Sequence, residues 1–393
     1  MSGFDIKGWC PGALRPMASG DGLVVRIRAH AGRLTPEQAN GIAMAAMAHG
    51  NGLLDLSARA NLQIRGVTED SHPALIADLR PLGLIDADVA AETRRNILVT
   101  PFAETRALAA ALEAALAGLE GTLPGKFGFA LDTGPLRLLT HAPADIRIER
   151  GAAGGLILRA DGAATGLPVT EAEGPARAVA LARWFLDTGG APEGRGRMKA
   201  HLKSGHLLPD ALTGAEYPAE TAPLPGPGLT PEGALIGFAM GETRAKTLSA
   251  LAGMGHDLIL TPWRMILIAG ATRLPALPHV VTDPEDPLRR VVACTGAPRC
   301  PQALAPTRAL ARGLATHVPP GALLHVSGCA KGCAHPGPAP FVLTATVHGF
   351  DFARDARASD DPAIRDIGPE RLADPALFTA TPPQDDTTDA PYL

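Results

Sequence analysis

Apolar and polar residues alternate along the first part of this chain with periods that assign its early elements. Leu23, Val25 and Ile27 interleave with Val24, Arg26 and Arg28, which predicts a half-buried strand carrying both arginines on its polar face. Thr35, Pro36 and Gln38 carry the signals of a capped helix start. Ala39, Ile42, Ala43, Ala46 and Met47 then recur at helical spacing until Gly50. Across residues 53–67 a period of two predicts a strand with Arg59, Asn61, Gln63 and Arg65 on one side and Ala60, Leu62 and Ile64 on the other. A solvated outer face has this pattern too. The hydrogen-bonding forks, with no carboxylate among them, favour a binding face.

Further along, helical periodicity covers residues 106–119 and 175–186, and Asp145 to Arg159 reads as a pair of strands, Ile146 and Ile148 in one and Leu156 to Leu158 in the other, before an Asp161-Gly162 turn. Short apolar runs, Val291 to Ala293 and Leu323 to Val326, read as buried strands, each leading into cysteine, and a short helix is expected from Thr307 to Leu314. Phe341 to Val347 is expected to be the final strand, followed by an acidic, Pro-rich extension and a polar tail. Residues 206–233 are rich in proline and glycine and read as a linker. Beyond it the opening pattern repeats. Laying Gly66 on Gly270, an offset of about 204 residues, matches Ser57 with Thr261, Leu62 with Ile266 and Ile64 with Ile268, as in a duplicated half. The repeat sets Trp263 and Arg264 near Arg59. The divisions expected are 8–75, 85–205, 206–233, 234–275, 285–350 and 351–393.

Composition narrows the function class. A chain of 393 residues, 46% hydrophobic and 19% charged, suits two or more globular units. A net charge of −4 argues against nucleic acid as the main partner. No apolar run reaches membrane-spanning length, and Met1 to Gly12 lack the order of a signal peptide, so a reducing cytoplasm is expected.

Four of the five cysteines form two close pairs, Cys294/Cys300 and Cys329/Cys333. Four thiolates at the ends of buried strands can hold an iron–sulfur cluster or zinc, though the wide first spacing is awkward for zinc. Structural thiols or a disulfide are the remaining alternatives. If its loop were helical, Cys329 and Cys333 would share one face. Gly296, Gly328 and Gly332 would let backbone N–H groups approach sulfur. Cys10 reads as a free thiol, and His325 and His335 flank the second pair, where either is structural or a ligand of a second iron. No Gly-x-Gly-x-x-Gly follows a strand and no Walker loop is present, so electrons must come from outside.

Cys-x5-Cys, a long gap and Cys-x3-Cys resemble the cluster motif of the nitrite and sulfite reductases that couple a [4Fe–4S] cluster to sirohaem. Within that superfamily, roughly residues 8 to 350 look most like the precorrin-3B synthases of aerobic cobalamin biosynthesis. The resemblance implies an α+β fold of two pseudo-symmetric halves, each a ferredoxin-like piece plus a reductase-type mixed domain. It implies a [4Fe–4S] cluster on Cys294, Cys300, Cys329 and Cys333, and a mononuclear non-haem iron whose ligands the sequence does not name. Ser57 to Gly66 is similar to the family's Arg-x-x-x-Gln signature, and Arg95-Asn96 to its Arg-Asn motif. Arg26, Arg28, Arg59, Asn61, Gln63, Arg95, Asn96 and Lys126 are then expected to line a tetrapyrrole basket. Pro124 to Gly128 is similar to the Pro-x-Lys-Phe-Lys stretch of sulfite reductases, but keeps only Lys126, with Gly128 in place of the second lysine. The implied activity is oxygen-dependent C20 hydroxylation and γ-lactone formation on precorrin-3A, with electrons from a donor protein or reductase using NAD(P)H. A sirohaem-bearing nitrite or sulfite reductase and a non-catalytic tetrapyrrole-binding protein are the alternatives.

Overall fold

The structure is a computed structural model, and residues 11–379 are described; Cys10 lies outside them. The chain opens with β1 (Met17–Ser19), β2 (Gly22–Ile27), β3 (Arg33–Leu34), α1 (Pro36–His49), β4 (Leu53–Leu56), β5 (Leu62–Val67) and α2 (His72–Leu79). A second unit contains α3 (Val89–Arg94), β6 (Ile97–Val99), α4 (Arg106–Ala117), β7 (Phe129–Asp132), β8 (Ile146–Arg150), β9 (Leu156–Ala160), β10 (Leu167–Val169), α5 (Gly174–Asp187) and α6 (Met198–Lys203). The first plan returns in β11 (Gly228–Thr230), β12 (Gly233–Gly237), β13 (Glu242–Arg244), α7 (Ala245–Ala252), β14 (Leu258–Leu260) and β15 (Met265–Ala269). The last unit carries β16 (Val291–Ala293), α8 (Arg308–Leu314), β17 (Leu324–Ser327), β18 (Ala339–Ala345), β19 (Phe350–Ala356) and β20 (Ile364–Ile367).

Two pseudo-symmetric halves result. One sheet has the order β1-β2-β5-β4-β13 and its mate the order β11-β12-β15-β14-β3, so each half donates its short third strand to the other half's sheet. Helices α1 and α7 pack together, and a single apolar core runs through both sheets, with Ile42, Leu62, Ile64, Leu248, Ile266 and Ile268 all fully buried. Burying each such side chain contributes roughly 1.5–3 kcal/mol, so the swapped strands and shared core make the halves one folding body. The backbone repeats as well. Ala60 and Arg264 turn the two hairpins at φ 51° and 58°, and Gly66 and Gly270 follow at 70° and 72°. The remaining sheets, β10-β9-β8-β7-β6 and β16-β17-β18-β19-β20, share one topology, three parallel strands followed by two antiparallel ones.

Local signals explain where elements start. Gln38 N donates to Thr35 Oγ1 at 3.2 Å and Thr35 N to Gln38 Oε1 at 3.0 Å, the reciprocal cap expected for α1. Three expectations fail. Residues 53–67 form a hairpin, not one strand, because Ala60 adopts a left-handed conformation and reverses the chain. Arg59 and Asn61 therefore sit in the turn. Phe341 to Val347 is not the last strand: Phe350 and Phe352 turn inward from β19 and hold it on the sheet. The Pro-rich segment is packed, since Glu216, Pro218 and Thr221 bridge to Gly166, Gly151 and Arg137 along the second unit.

Candidate functional site

Strands β16 and β17 are parallel and in register, Ala293 opposite Val326, so both end at the same edge of the sheet and deliver both cysteine loops there. Cys294 N donates to Val326 O at 3.4 Å, and Gly328 N donates to the Cys294 sulfur at 3.2 Å. Leu304 N, just past Cys300, donates to Gly328 O at 2.8 Å. Gly296 has φ 71°, and a Cβ there would lie 2.7 Å from Thr307 N; only glycine permits this approach. The Cys329–Cys333 loop is a series of turns rather than helix, with Gly332 at φ 61°. Cys294, Cys300 and Cys329 are half-buried and Cys333 is exposed. Protein closing around its sulfur pushes the Cys333 thiol above its ordinary range; Lys331 opposes this, and Cys294, Cys329 and Cys300 add to it. Four thiols that feel one another electrostatically, beside a backbone N–H aimed at sulfur, suit a four-thiolate cluster. Among the described residues, no three or more His, Cys, Asp or Glu side chains gather to hold a single metal ion. The mononuclear iron implied by the resemblance therefore finds no ready ligand set there. A cubane spreads its thiolates more widely than one ion does.

The thiol-bearing unit docks on the polar face of the first sheet. Cross-strand pairing sets Glu242, Asp55, Gln63 and Arg26 in one row across β13, β4, β5 and β2. Arg308 of α8 and Arg299, next to Cys300, reach Glu242 at 2.7 and 2.6 Å; Arg312 reaches it at 2.9 Å. Ser19 Oγ and Gly20 N both donate to Arg299 O. Two strand spacings, ~10 Å, separate Asp55 from Arg26 along the row.

Arg26 is 6% exposed, and among the described residues its Nε and Nη1 have no hydrogen-bond partner. Asn61 is equally buried, and its Nδ2 also lacks one among them. Unpaired buried donors are costly, and their persistence marks a surface shaped for something else. Gln63 is half-buried beside Arg26, Arg59 donates Nη1 to Pro143 O at 3.3 Å, and Lys126 is exposed. The expectation that no carboxylate neutralises this region is corrected. Arg28 pairs with Glu92 at 3.1 Å, and Arg95 grips Asp86 with two 2.8 Å bonds while Nη1 donates to Arg28 O. Burial brings Arg28 down to about 10, with Glu92 opposing the fall. Arg65 is held by Asp21 and Ser19. Asn96 donates to Phe127 O at 2.9 Å. Arg28, Arg95 and Asn96 thus brace the wall, and Arg26 and Asn61 keep donor capacity that the described residues do not use.

Residues 15–82 match the family described as the nitrite/sulfite reductase ferredoxin-like half domain. A precorrin-3B synthase from Sinorhizobium sp. is 28% identical over 91% of this chain and 84% of its own length. The chain resembles precorrin-3B synthase along nearly its whole length. The solved structure of the Mycobacterium tuberculosis NirA protein superposes with a TM-score of 0.56 at 18% identity, covering 84% of this chain and 74% of that one, which establishes the shared fold.

Against that resemblance the structure explains one departure. A Cβ at Gly128 would lie 2.9 Å from Asn96 Nδ2 and 3.1 Å from Asn96 O, so Asn96 crowds the space where a second basic side chain would start. Two further groups lie near the thiol loops: Arg264, with no role assigned from sequence, and His325, expected as structural or as an iron ligand. Arg264 donates to Ala334 O at 3.4 Å and leaves Nη1 buried and unpaired; burial, then Arg308, lowers its pKa to about 10. His325 is fully buried with neither ring nitrogen bonded, and burial, His335 and Arg264 lower it to about 4, so it is neutral near pH ~7. The only sequence signal for Arg264 was the repeat that laid Trp263 and Arg264 beside Arg59 and Ala60.

Proposed function

We propose that this chain is an oxidoreductase of the precorrin-3B synthase kind, acting on a polycarboxylated tetrapyrrole with dioxygen and externally supplied electrons. One observation carries the reading: the unit that bears the four thiols is tied through Arg308 to Glu242 and Asp55, in the same cross-strand row as Arg26, whose Nε and Nη1 find no partner among the described residues. Arg26, Asn61, Arg59, Gln63 and Lys126 would bind the macrocycle's carboxylates through charge-assisted hydrogen bonds. Held at several points, the ring turns one meso carbon toward the oxidant, which restricts the site of attack. Cys294, Cys300, Cys329 and Cys333 would hold a [4Fe–4S] cluster, which when bound supplies single electrons. Exposed Cys333 is the thiol nearest the solvent side of that tetrad. C20 hydroxylation with γ-lactone closure of precorrin-3A is the specific reaction, in the cytoplasm.

The test is anaerobic isolation with iron and sulfide counts, followed by precorrin-3A, dioxygen and a chemical or enzymatic reductant. Formation of the hydroxylated lactone, dependent on both oxygen and the cluster, is the expected result. Its absence from cluster-loaded protein defeats the reading. The fold and the matched half domain also suit a sirohaem reductase; sirohaem absorption bands surviving gentle isolation would select it instead.

A further inference from the structure

The pseudo-two-fold axis that relates the halves carries the candidate site onto a second cavity. Phe341 N donates to Leu323 O at 3.1 Å just as Ile146 N donates to Gly128 O at 3.2 Å. Leu323 therefore stands for Gly128, and Gly321 for Lys126. Thr100 N bonds Leu131 O as Cys294 N bonds Val326 O. The paired residues are equally spaced in the two units, Phe129 with Ile146 and Leu324 with Phe341, and this register sets Leu138 against Cys333. The hairpin turns superimpose Trp263 on Arg59 and Met265 on Asn61, and the starts of β6 and β16 superimpose Arg289-Arg290 on Arg95-Asn96.

Those mates, Leu138, Trp263, Met265, Gly321, Leu323 and the Arg289-Arg290 pair, line one cavity of about 370 Å³ between the second unit, the second half's hairpin and the last unit. Most changes run the same way: thiol, amide, ammonium and one guanidinium give place to leucine, methionine, glycine and an indole, whereas Arg290 replaces Asn96, so the cations gather at one end, where Glu285 and Asp286 also line the wall. Arg289 spends Nη1 on the Pro284 carbonyl, and its Nε is buried without a partner. Arg290 donates to the carbonyls of Val318 and Glu285, not to a carboxylate side chain. Burial depresses the Arg289 pKa, with Glu285, Asp283 and Asp286 opposing. The size falls within the range of small-molecule sites and is small for a macrocycle with its side arms. An aromatic wall with one desolvated cation recognises a planar apolar body with one negative group.

We propose that this mate cavity binds a flat apolar molecule carrying a single oxyanion, separately from the macrocycle's own cleft. The oxyanion is a carboxylate or a phosphate. Calorimetric titration of the protein as isolated uses cinnamate for the first, phenyl phosphate for the second, and cinnamyl alcohol as the neutral counterpart. Saturable binding of at least one anion is expected, at least tenfold tighter than the alcohol. Arg289→Met and the cavity-filling Leu323→Phe should each weaken it tenfold or more, with circular dichroism and melting verifying the fold. Arg26→Met, in the other cleft, should leave it unchanged. No saturable binding, equal binding of the alcohol, or wild-type affinity in both cavity variants overturns the proposal. Loss of binding in Arg26→Met also overturns it, because the ligand would then occupy the candidate site. None of these readouts depends on turnover, so failure here leaves the proposed reaction to its own test.

Discussion

Arg308 Nη1 lies 2.7 Å from Glu242 Oε2 and 2.7 Å from Asp55 Oδ1, joining the thiol-bearing unit to one strand from each half at a single guanidinium. Because β13 is the strand that the second half lends to the first sheet, this contact ties together three parts of the chain that are far apart in sequence. Arg299, beside Cys300, uses the same carboxylate. The loop that presents two thiols is thus held by the pseudo-symmetric body and not by its own unit alone.

Glu242→Gln should release that hold. Removing one member of a buried ion network leaves the other charges uncompensated and typically costs roughly 3–5 kcal/mol. Urea unfolding should show that loss, and trypsin should cleave nearer Arg299 than in the wild type. The pH dependence follows from the same pairing. Burial alone would raise the Glu242 pKa, but Arg308, with Arg299 and Arg312, holds it down at about 2. Its unfolded pKa is higher, so the stabilisation is complete above ~4.5 and is lost as pH falls toward ~2, on the order of 2–4 kcal/mol. An acid unfolding curve for Glu242→Gln that coincides with wild type between those limits would contradict this.

Arg26→Met should separate stability from binding. Arg26 is buried with two nitrogens unpartnered, so a methionine of similar length removes a desolvated charge and keeps the packing. The melting temperature should stay the same or rise, while affinity for uroporphyrin, used as a polycarboxylate probe, falls at least tenfold. A loss of stability with unchanged porphyrin affinity would make Arg26 a structural residue.

How far the chain could be read depends on the distance over which its interactions act. The Thr35–Gln38 cap spans three residues, and the sequence announces it; so do the apolar runs that end at Cys294 and Cys329. The duplicated half was legible from the repeat, and the α+β class and the reductase-type fold from the family resemblance that the cysteine motif carries. The turn at Ala60 was not, because alternation of polar and apolar residues continues unbroken through it and nothing marks an alanine for positive φ. The exchange of β3 and β13 was hidden because those strands are two and three residues long. The carboxylates that neutralise Arg28, Arg65 and Arg95 come from other segments, as do the arginines around Glu242. Strand β19 was missed because Asp351, Arg354 and Asp355 made its segment look like tail, whereas its inward face carries Phe350 and Phe352.

Cys329→Ser and Cys333→Ser should each abolish the broad brown absorption and the sulfide content of anaerobically isolated protein, with activity lost in parallel. Serine oxygen is a poor match for iron in such a cluster. The melting temperature should fall as well, since a bound group stabilises the fold that holds it. Retained absorption in both variants would dissociate these thiols from the cluster; retained activity without absorption would remove the cluster's electron-transfer role.

The mate of the cluster loop supplies the last test. Thr100 occupies the backbone position of Cys294, and Asp132 neighbours it on the parallel strand β7. Asp132 is 1% exposed; its Oδ2 accepts from Leu138 N and Leu139 N at 2.8 and 2.6 Å, while its Oδ1 and the Thr100 hydroxyl have no partner. Burial raises its pKa to about 6 against those two backbone donors. A folded pKa above the unfolded one means that ionisation opposes folding. Stability is therefore full below ~4 and declines as pH rises through ~6, by on the order of 2–3 kcal/mol. Asp132→Asn keeps an oxygen for both N–H groups and removes the carboxylate charge that burial disfavours. Urea unfolding should find the two proteins alike near pH ~4 and the variant more stable by up to ~2 kcal/mol near pH ~8. A variant less stable than wild type at the higher pH would show that the Asp132 charge is wanted where it is.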